Sequence, residues 1–183
     1  MKKIDNLDFF RVDTKTLAQN LIGKWIYTCI GGVEVCAQIC ETEAYLGIED
    51  SACHSYQNKR TARTETMWQD GGTIYVYLCY GLHYLFNIVS KNVGEPEAVL
   101  IRGVVGAEGP ARATKLLNIT KELNGQKIVG NPLIYLLDDG EKYSYTTAPR
   151  VGIDYAKPKD KNAKLRYILI KNTKKCEKNA KKH

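Results

Sequence analysis

The stretch KWIYTCIGGVEVCAQICETEAY, residues 24–45, decides the fold class predicted for this chain. Aromatic and β-branched residues fill two runs, and Gly31 and Gly32 stand between them, where glycine provides the positive φ angles of a tight turn. The pattern therefore predicts two antiparallel strands. If their pairing stays regular, one face of the second strand carries Val35, Ala37, Ile39, Glu41, Glu43 and Tyr45.

Three later stretches also have the composition of strands. TIYVYLCYGLHYLFNIVS, residues 73–90, predicts a β-hairpin that turns at Tyr80 and Gly81. AVLIRGVVG (98–106) and RYILIKN (166–172) predict further strands, because both are rich in β-branched or aromatic residues.

Helices are fewer and shorter. DTKTLAQNLIG (13–23) has an apolar stripe that ends at a glycine, and PARATKLL (110–117) begins with a proline that suits the first turn of a helix. GNPLIYLLDD (130–139) fits either a helix or a strand. The predicted fold class is α+β, an antiparallel sheet with a few surrounding helices.

The 183 residues correspond to one ordinary domain. No apolar run approaches the roughly 18 residues that cross a bilayer, and the first residues lack the apolar core of a signal peptide. The six cysteines therefore fit reduced thiols better than disulfides. We expect an intracellular protein without a membrane partner, in the cytoplasm or nucleoid if the source is bacterial.

The formal net charge of +7 is unevenly distributed. Residues 157–183 contain eleven Lys and Arg against two acidic residues, a net of +9, so the rest of the chain carries −2. This asymmetry indicates a polyanionic partner, although a solubilising tail explains it equally well. We assign residues 1–171 to the domain and predict that residues 172–183 form a disordered basic tail.

Residues 40–55, CETEAYLGIEDSACHS, bring together acidic, thiol and imidazole groups. A metal site is disfavoured, because Cys36 and Cys40 would lie roughly 13 Å apart along a strand and cannot share one ion. An acid–base site is possible where carboxylates follow apolar residues into a cleft. The pattern alone favours a solvated strand end with two ordinary glutamates.

Three blocks of the sequence together resemble the alkyladenine (3-methylpurine) DNA glycosylase family. They are ETEAYLGIEDSACHS (41–55), GTIYVYLCYGLHYLFNIVS (72–90) and AVLIRG (98–103). Weaker similarity extends through TKTLAQNLIGKWI, TARTETMW and PRVGIDYA, and together the blocks cover roughly residues 8–170 in the family's order. The resemblance implies a single mixed domain with a curved, mainly antiparallel sheet and a protruding hairpin that enters the DNA minor groove.

The family hydrolyses the N-glycosidic bond of damaged purines in base excision repair and uses neither a cofactor nor a metal. The resemblance implies that Glu43 is the general base, that Arg102 helps to place the water, and that Tyr80 fills the gap left by the flipped nucleotide. The base pocket implied by the resemblance consists of Tyr45, His54, Tyr77 and Asn87. The partner would be double-stranded DNA containing damaged purines, bound by a monomer.

Two arginines in the loop before the hairpin, Arg60 and Arg63, are candidates for DNA phosphates, although a solvated loop charge is nearly as plausible. The sequence also departs from the family pattern. Thr61-Ala62-Arg63-Thr64 stands where the family has Thr-Pro-Arg-Asn, and the family's Gly-Pro-Gly-Lys-Leu block is replaced by NGQKIVGNPL (124–133), in which Lys127 is a doubtful match. Two alternatives stay open: a non-catalytic protein that binds damaged DNA, and a hydrolase of free nucleosides.

Overall fold

The structure, a computed structural model, describes residues 1–170. The predicted basic tail, residues 172–183, therefore lies outside the described residues. Ten strands, three α-helices and five short 3-10 helices make up the regular structure of this part of the chain. The strands are β1 (Lys2–Lys3), β2 (Trp25–Ile30), β3 (Val33–Tyr45), β4 (Ile74–Cys79), β5 (His83–Val89), β6 (Ala98–Val104), β7 (Ala107–Glu108), β8 (Ile134–Asp138), β9 (Tyr145–Ala148) and β10 (Arg166–Leu169).

The strands form one curled, mainly antiparallel sheet in the order β1-β8-β2-β3-β6-β5-β4. β10 pairs with β3 and β9, and β7 pairs with β6. β3 pairs first with β2 through residues 33–38, and its second half pairs with β6 on one side and β10 on the other. The predicted α+β class, with a curved antiparallel sheet, is confirmed. The ambiguous stretch 130–139 forms strand β8.

The helices α1 (Thr14–Leu21), α2 (Pro110–Leu116) and α3 (Pro158–Lys161) are short. Asp13 caps α1 by accepting hydrogen bonds from the backbone N–H groups of Lys15 and Thr16, which satisfies donors that a helix start leaves unpaired. The apolar stripe of α1 is buried against β3 and β6. This side of the sheet holds the main core, so the site must lie on the other face or at an edge.

The second half of β3 changes the face to which its side chains point. Opposite β6, the register shifts on both sides of Glu41, where Gly103 lets the two strands approach closely. Ile39 belongs to the main core before the shift, and Ala44 belongs to it after the shift. The regular alternation that would place Glu41 and Glu43 on the face of Ile39 was therefore wrong.

Candidate active site

The irregular pairing places Glu41, Glu43 and Tyr45 on the face of the sheet away from the main core. Thr42, on the opposite side of the strand, donates a hydrogen bond of 2.9 Å to the carbonyl oxygen of Ala18 in α1. Without the register shift at Glu41, the strand would direct either the glutamates into the main core or its apolar residues away from it.

A line of directly paired residues crosses five neighbouring strands and forms the floor of the site. Glu43 on β3 pairs with Leu100 on β6, Leu100 with Asn87 on β5, and Asn87 with Tyr75 on β4, while Arg166 on β10 pairs with Glu43 from the other side. Residues that are far apart in sequence are thereby fixed on neighbouring strands, roughly 4.8 Å per strand.

The carboxylate of Glu43 is fully buried but has polar partners. Its Oε1 accepts a hydrogen bond of 2.9 Å from the backbone N–H of Val151, and its Oε2 accepts one of 2.8 Å from the hydroxyl of Tyr45. Burial raises the pKa of Glu43 above the ordinary glutamate value, whereas these two hydrogen bonds and the charge of Arg102 oppose the rise. Glu43 is thus a desolvated carboxylate of increased basicity.

Glu41 is paired with two arginines. Its Oε1 accepts hydrogen bonds of 3.1 Å from Nε of Arg102 and 2.8 Å from Nη1 of Arg166. Nε of Arg102 is 3.5 Å from Oε1 of Glu43, so this arginine is closer to Glu41 than to Glu43. The two glutamates therefore differ sharply: Glu41 is ion-paired, and Glu43 is the less neutralised of the two.

A cavity of about 420 Å³ opens beside Glu43. This is a typical size for a site that takes a small planar ligand. Six of the residues that line it have aromatic rings. The lining includes all of the base-pocket residues implied by the resemblance and both residues of the proposed catalytic pair: Glu43, Tyr45, His54, Tyr77, Asn87 and Arg102.

His54, Tyr75 and Tyr77 form one aromatic cluster in this cavity. The rings of His54 and Tyr77 meet edge to face with centroids 4.7 Å apart, and the hydroxyl of Tyr75 lies 3.0 Å from Nδ1 of His54. Burial, with a smaller contribution from the charges of Arg63 and Lys59, lowers the pKa of His54 to about 4. The imidazole is therefore neutral at physiological pH.

Asn87 is buried at the floor of the cavity. Its side-chain NH2 group donates a hydrogen bond of 3.2 Å to the carbonyl oxygen of Tyr75 on the neighbouring strand. This bond fixes the orientation of the amide and leaves its oxygen for other contacts.

Tyr80 occupies the tip of the hairpin formed by β4 and β5, as the sequence predicts. Its side chain is 90% exposed, and its backbone has a φ angle of +51°, which is unfavourable for a residue with a side chain. Tyr80 also lines the cavity. An exposed ring on a strained turn beside an aromatic cavity is typical of a functional position.

The two candidate phosphate-binding arginines lie in different surroundings. Arg63 lines the cavity, with its guanidinium group 4.9 Å from the centroid of the Tyr77 ring. Arg60 does not line the cavity; it forms two hydrogen bonds, of 2.8 and 2.7 Å, with the carboxylate of Glu65.

Sequence reasoning missed several residues of the cavity wall. Tyr75 is two residues before Tyr77 on β4, so the period of the strand was a signal that both rings share a face. The PRVGIDYA block contributes Val151, Ile153 and Tyr155, and its Arg150 is joined to Asp50 by hydrogen bonds of 2.5 and 2.8 Å. Only the resemblance had drawn attention to that block.

The segment that replaces the family's Gly-Pro-Gly-Lys-Leu block covers the outer edge of β4. Backbone hydrogen bonds join Gly125 and Gln126 to Ile74, and Nζ of Lys127 donates a hydrogen bond of 2.6 Å to the hydroxyl of Thr73. Residues 124–133 are absent from the cavity lining. In this chain the segment closes a sheet edge.

Within residues 1–170 no group of three or more His, Cys, Asp and Glu side chains is arranged to hold a metal ion. In the same part of the chain, none of the helices has the length and apolar character required to span a bilayer.

Comparison with known proteins identifies the class. The family model described as Methylpurine-DNA glycosylase (MPG) matches residues 8–108 and 104–173. A protein of Natranaerobius thermophilus is 42% identical over 172 residues, which cover 81% of this chain and 87% of that protein. A protein of Borrelia garinii subsp. bavariensis is 40% identical over 176 residues, covering 90% and 95%. Both carry the name "Putative 3-methyladenine DNA glycosylase".

The fold, the buried carboxylate in its aromatic cavity and these relatives define a DNA glycosylase, an enzyme of the hydrolase class. The chain belongs to the methylpurine-DNA glycosylase family.

Proposed function

We propose that this protein is a monofunctional DNA glycosylase that hydrolyses the N-glycosidic bond of alkylated purines, of the 3-methyladenine type, after they are flipped out of duplex DNA. One observation carries the proposal: the buried carboxylate of Glu43 borders an aromatic cavity, and the exposed ring of Tyr80 stands at the same cavity. The residues proposed for catalysis, base binding and wedging thus line the same cavity, which supports the proposal.

Extrusion of the base comes first, because the glycosidic bond cannot be reached inside a duplex. Unstacking costs on the order of a few kcal/mol and is cheaper for a damaged base, which pairs poorly. Tyr80 fills the vacated space, as ring or apolar wedges do in proteins that bend DNA from the minor groove. The exposure of its ring at the hairpin tip supports this role.

The aromatic cluster then holds the base. Stacking on aromatic side chains contributes about 1–3 kcal/mol per base. An alkylated purine is often cationic and is attracted by the electron-rich faces of the tyrosine rings. The low pKa of His54, about 4, keeps the imidazole uncharged, so it does not repel such a base.

Bond cleavage builds positive charge on the sugar, which the carboxylate of Glu43 stabilises while it takes a proton from the attacking water. An alkylated base leaves readily, so this route requires no general acid. The cavity lining contains no lysine among the described residues, which favours hydrolysis over a Schiff-base mechanism with strand cleavage. The enzyme would act as a monomer, on DNA inside the cell, in base excision repair.

The decisive experiment compares wild type and Glu43→Gln on alkylated duplex DNA and follows the free bases by chromatography. We expect the wild type to release methylated purines and Glu43→Gln to bind the same DNA without releasing them. Binding without release by both proteins would instead support a non-catalytic damage-binding protein. Release from free nucleosides at a rate equal to that from duplex DNA would support a nucleoside hydrolase.

Salt dependence tests the duplex as partner. Neutralisation of phosphates releases counterions, so affinity should fall steeply between about 50 and 200 mM salt. An affinity that is flat across this range would contradict duplex DNA as the substrate.

A further inference from the structure

Tyr155 is a second aromatic ring at the mouth of the cavity. It lies in the loop between β9 and α3, on a different element from the hairpin, and it lines the cavity although its side chain is 70% exposed. No role for this residue follows from the catalytic scheme above.

The ring of Tyr155 is held in place at its far end. Its hydroxyl donates a hydrogen bond of 3.0 Å to the carbonyl oxygen of Ala52, a buried residue. An exposed side chain usually samples several rotamers, and their loss on binding reduces affinity. Because this hydrogen bond already restricts the ring, a ligand that packs on it causes a smaller loss of side-chain conformational entropy.

The backbone that carries the ring is also tied to the catalytic carboxylate. The N–H of Val151, four residues before Tyr155, donates to Glu43, and Arg150 is held by the buried carboxylate of Asp50. The position of the ring relative to Glu43 is therefore determined by a short and well-anchored segment.

We infer that Tyr155 packs against the deoxyribose of the flipped nucleotide and so closes the mouth of the cavity. This inference rests on the proposed function. A base stacked among Tyr45, His54 and Tyr77 fills the inner part of the cavity, so the sugar attached to it lies at the mouth. The face of a tyrosine ring offers the apolar surface that the C–H groups of the sugar require.

The test uses two duplexes, one with a damaged purine and one with a tetrahydrofuran site, which keeps the sugar ring but has no base. Equilibrium binding is measured for wild type, Tyr155→Ala and Tyr155→Phe. We expect Tyr155→Ala to weaken binding to both duplexes by a similar factor, on the order of tenfold, as for other ring contacts with nucleotides. Tyr155→Ala should leave the affinity for undamaged duplex unchanged. Tyr155→Phe, which keeps the ring, should lose less affinity for the two modified duplexes than Tyr155→Ala does.

Weaker binding to the damaged purine alone would show that the ring contacts the base and would overturn the inference, as would unchanged binding to both duplexes. Tyr135→Phe, on β8 and outside the cavity lining, is the matched control for loss of a hydroxyl. Thermal melting verifies that each variant is folded. If wild type releases no base and does not prefer either modified duplex, the proposed function fails and this inference with it. If wild type releases bases while Tyr155→Ala binds like wild type, only the inference is wrong.

Discussion

The hydroxyl of Tyr45 donates a hydrogen bond of 2.8 Å to the carboxylate of Glu43, two residues earlier on the same strand. The bond lowers the pKa of Glu43 and so opposes the effect of burial. It also joins a wall of the proposed base pocket to the proposed general base. The basicity of Glu43 is therefore set by a small number of nearby groups that can be changed one at a time.

Tyr45→Phe keeps the ring and removes this hydrogen bond. The pKa of Glu43 should rise further, because a group that stabilises its ionised form is lost. The acid limb of the single-turnover rate against pH should move to higher pH, while the rate well above that limb changes by less than about threefold. Tyr77→Phe, whose hydroxyl makes no hydrogen bond to Glu43, should leave the position of the limb unchanged. An unmoved limb in Tyr45→Phe would contradict this role.

Glu41→Gln should move the same limb in the opposite direction. Glu41 holds Nε of Arg102 at 3.1 Å, and without its charge Arg102 is free to turn fully towards Glu43. Both the closer cation and the lost anion favour ionised Glu43, so its pKa falls and activity extends to lower pH. The groups that interact with Glu43 are Glu41, Tyr45, Arg102, Arg150 and the Val151 amide, and the two variants change different members of this set. A limb that shifts in the same direction in both variants would exclude Glu43 as the titrating group.

Glu43→Gln should inactivate the enzyme and stabilise the fold. General-base catalysis contributes about 10²–10⁴ in rate, and we expect a loss of this size. Burial raises the folded-state pKa of Glu43, so the ionised form present at higher pH reduces the free energy of unfolding, whereas the neutral amide does not. The melting temperature at pH 8 should rise by about 2–4 °C if the gain is near 1 kcal/mol. The gain should shrink as the pH falls through the pKa of Glu43, because wild type then becomes neutral at this position. A gain that is constant from pH 8 to pH 4 would contradict this explanation.

Tyr80→Gly separates the strain of the hairpin tip from its function. Glycine adopts the φ angle of +51° without the cost that a side chain adds, about 1 kcal/mol. We expect an unchanged or slightly raised melting temperature together with a large loss of excision from duplex DNA. Tyr80→Ala, which keeps the backbone strain, should lose excision equally without the gain in stability. Full excision by Tyr80→Gly would show that the ring is not needed to hold the gap open.

The sequence predicted much of this fold because its strands follow simple local rules. The hairpin at Tyr80 and Gly81 forms where β-branched and aromatic runs flank a glycine, and α1 ends where its apolar stripe ends. Such local rules do not predict the double register shift at Glu41. The shift depends on the close approach of Gly103, which lies on β6, about sixty residues further along the chain. The pattern alone favoured a solvated strand end with two ordinary glutamates, and this prediction was wrong, because the structure buries both Glu41 and Glu43.

The proposed roles of the site residues depended on the resemblance, and the structure adds the contacts that local sequence cannot show. The pairing of Arg102 with Glu41 joins residues 61 positions apart, and the N–H of Val151 reaches Glu43 across 108 positions. Neither contact leaves a trace in composition or periodicity. Only the three-dimensional arrangement distinguishes the ion-paired glutamate from the desolvated one.

Arg150→Met should lower both stability and rate, for separable reasons. The guanidinium of Arg150 is buried, donates two hydrogen bonds to the carboxylate of Asp50, and donates two more to the carbonyl oxygens of Ala44 and Asp160. Removing one partner of a buried ion pair costs about 3–5 kcal/mol, which corresponds to a fall of roughly 10 °C in melting temperature for a domain of this size.

The rate should fall because Val151, the next residue, then loses the anchor that holds its N–H against Glu43. The double variant Arg150→Met, Asp50→Asn removes the unpaired buried charge and should recover part of the lost stability, but not the rate. Thermal melting and single-turnover excision at saturating enzyme measure the two effects independently. Recovery of the rate together with stability would mean that Arg150 acts only through the fold, and an unchanged melting temperature in Arg150→Met would contradict the buried ion pair itself.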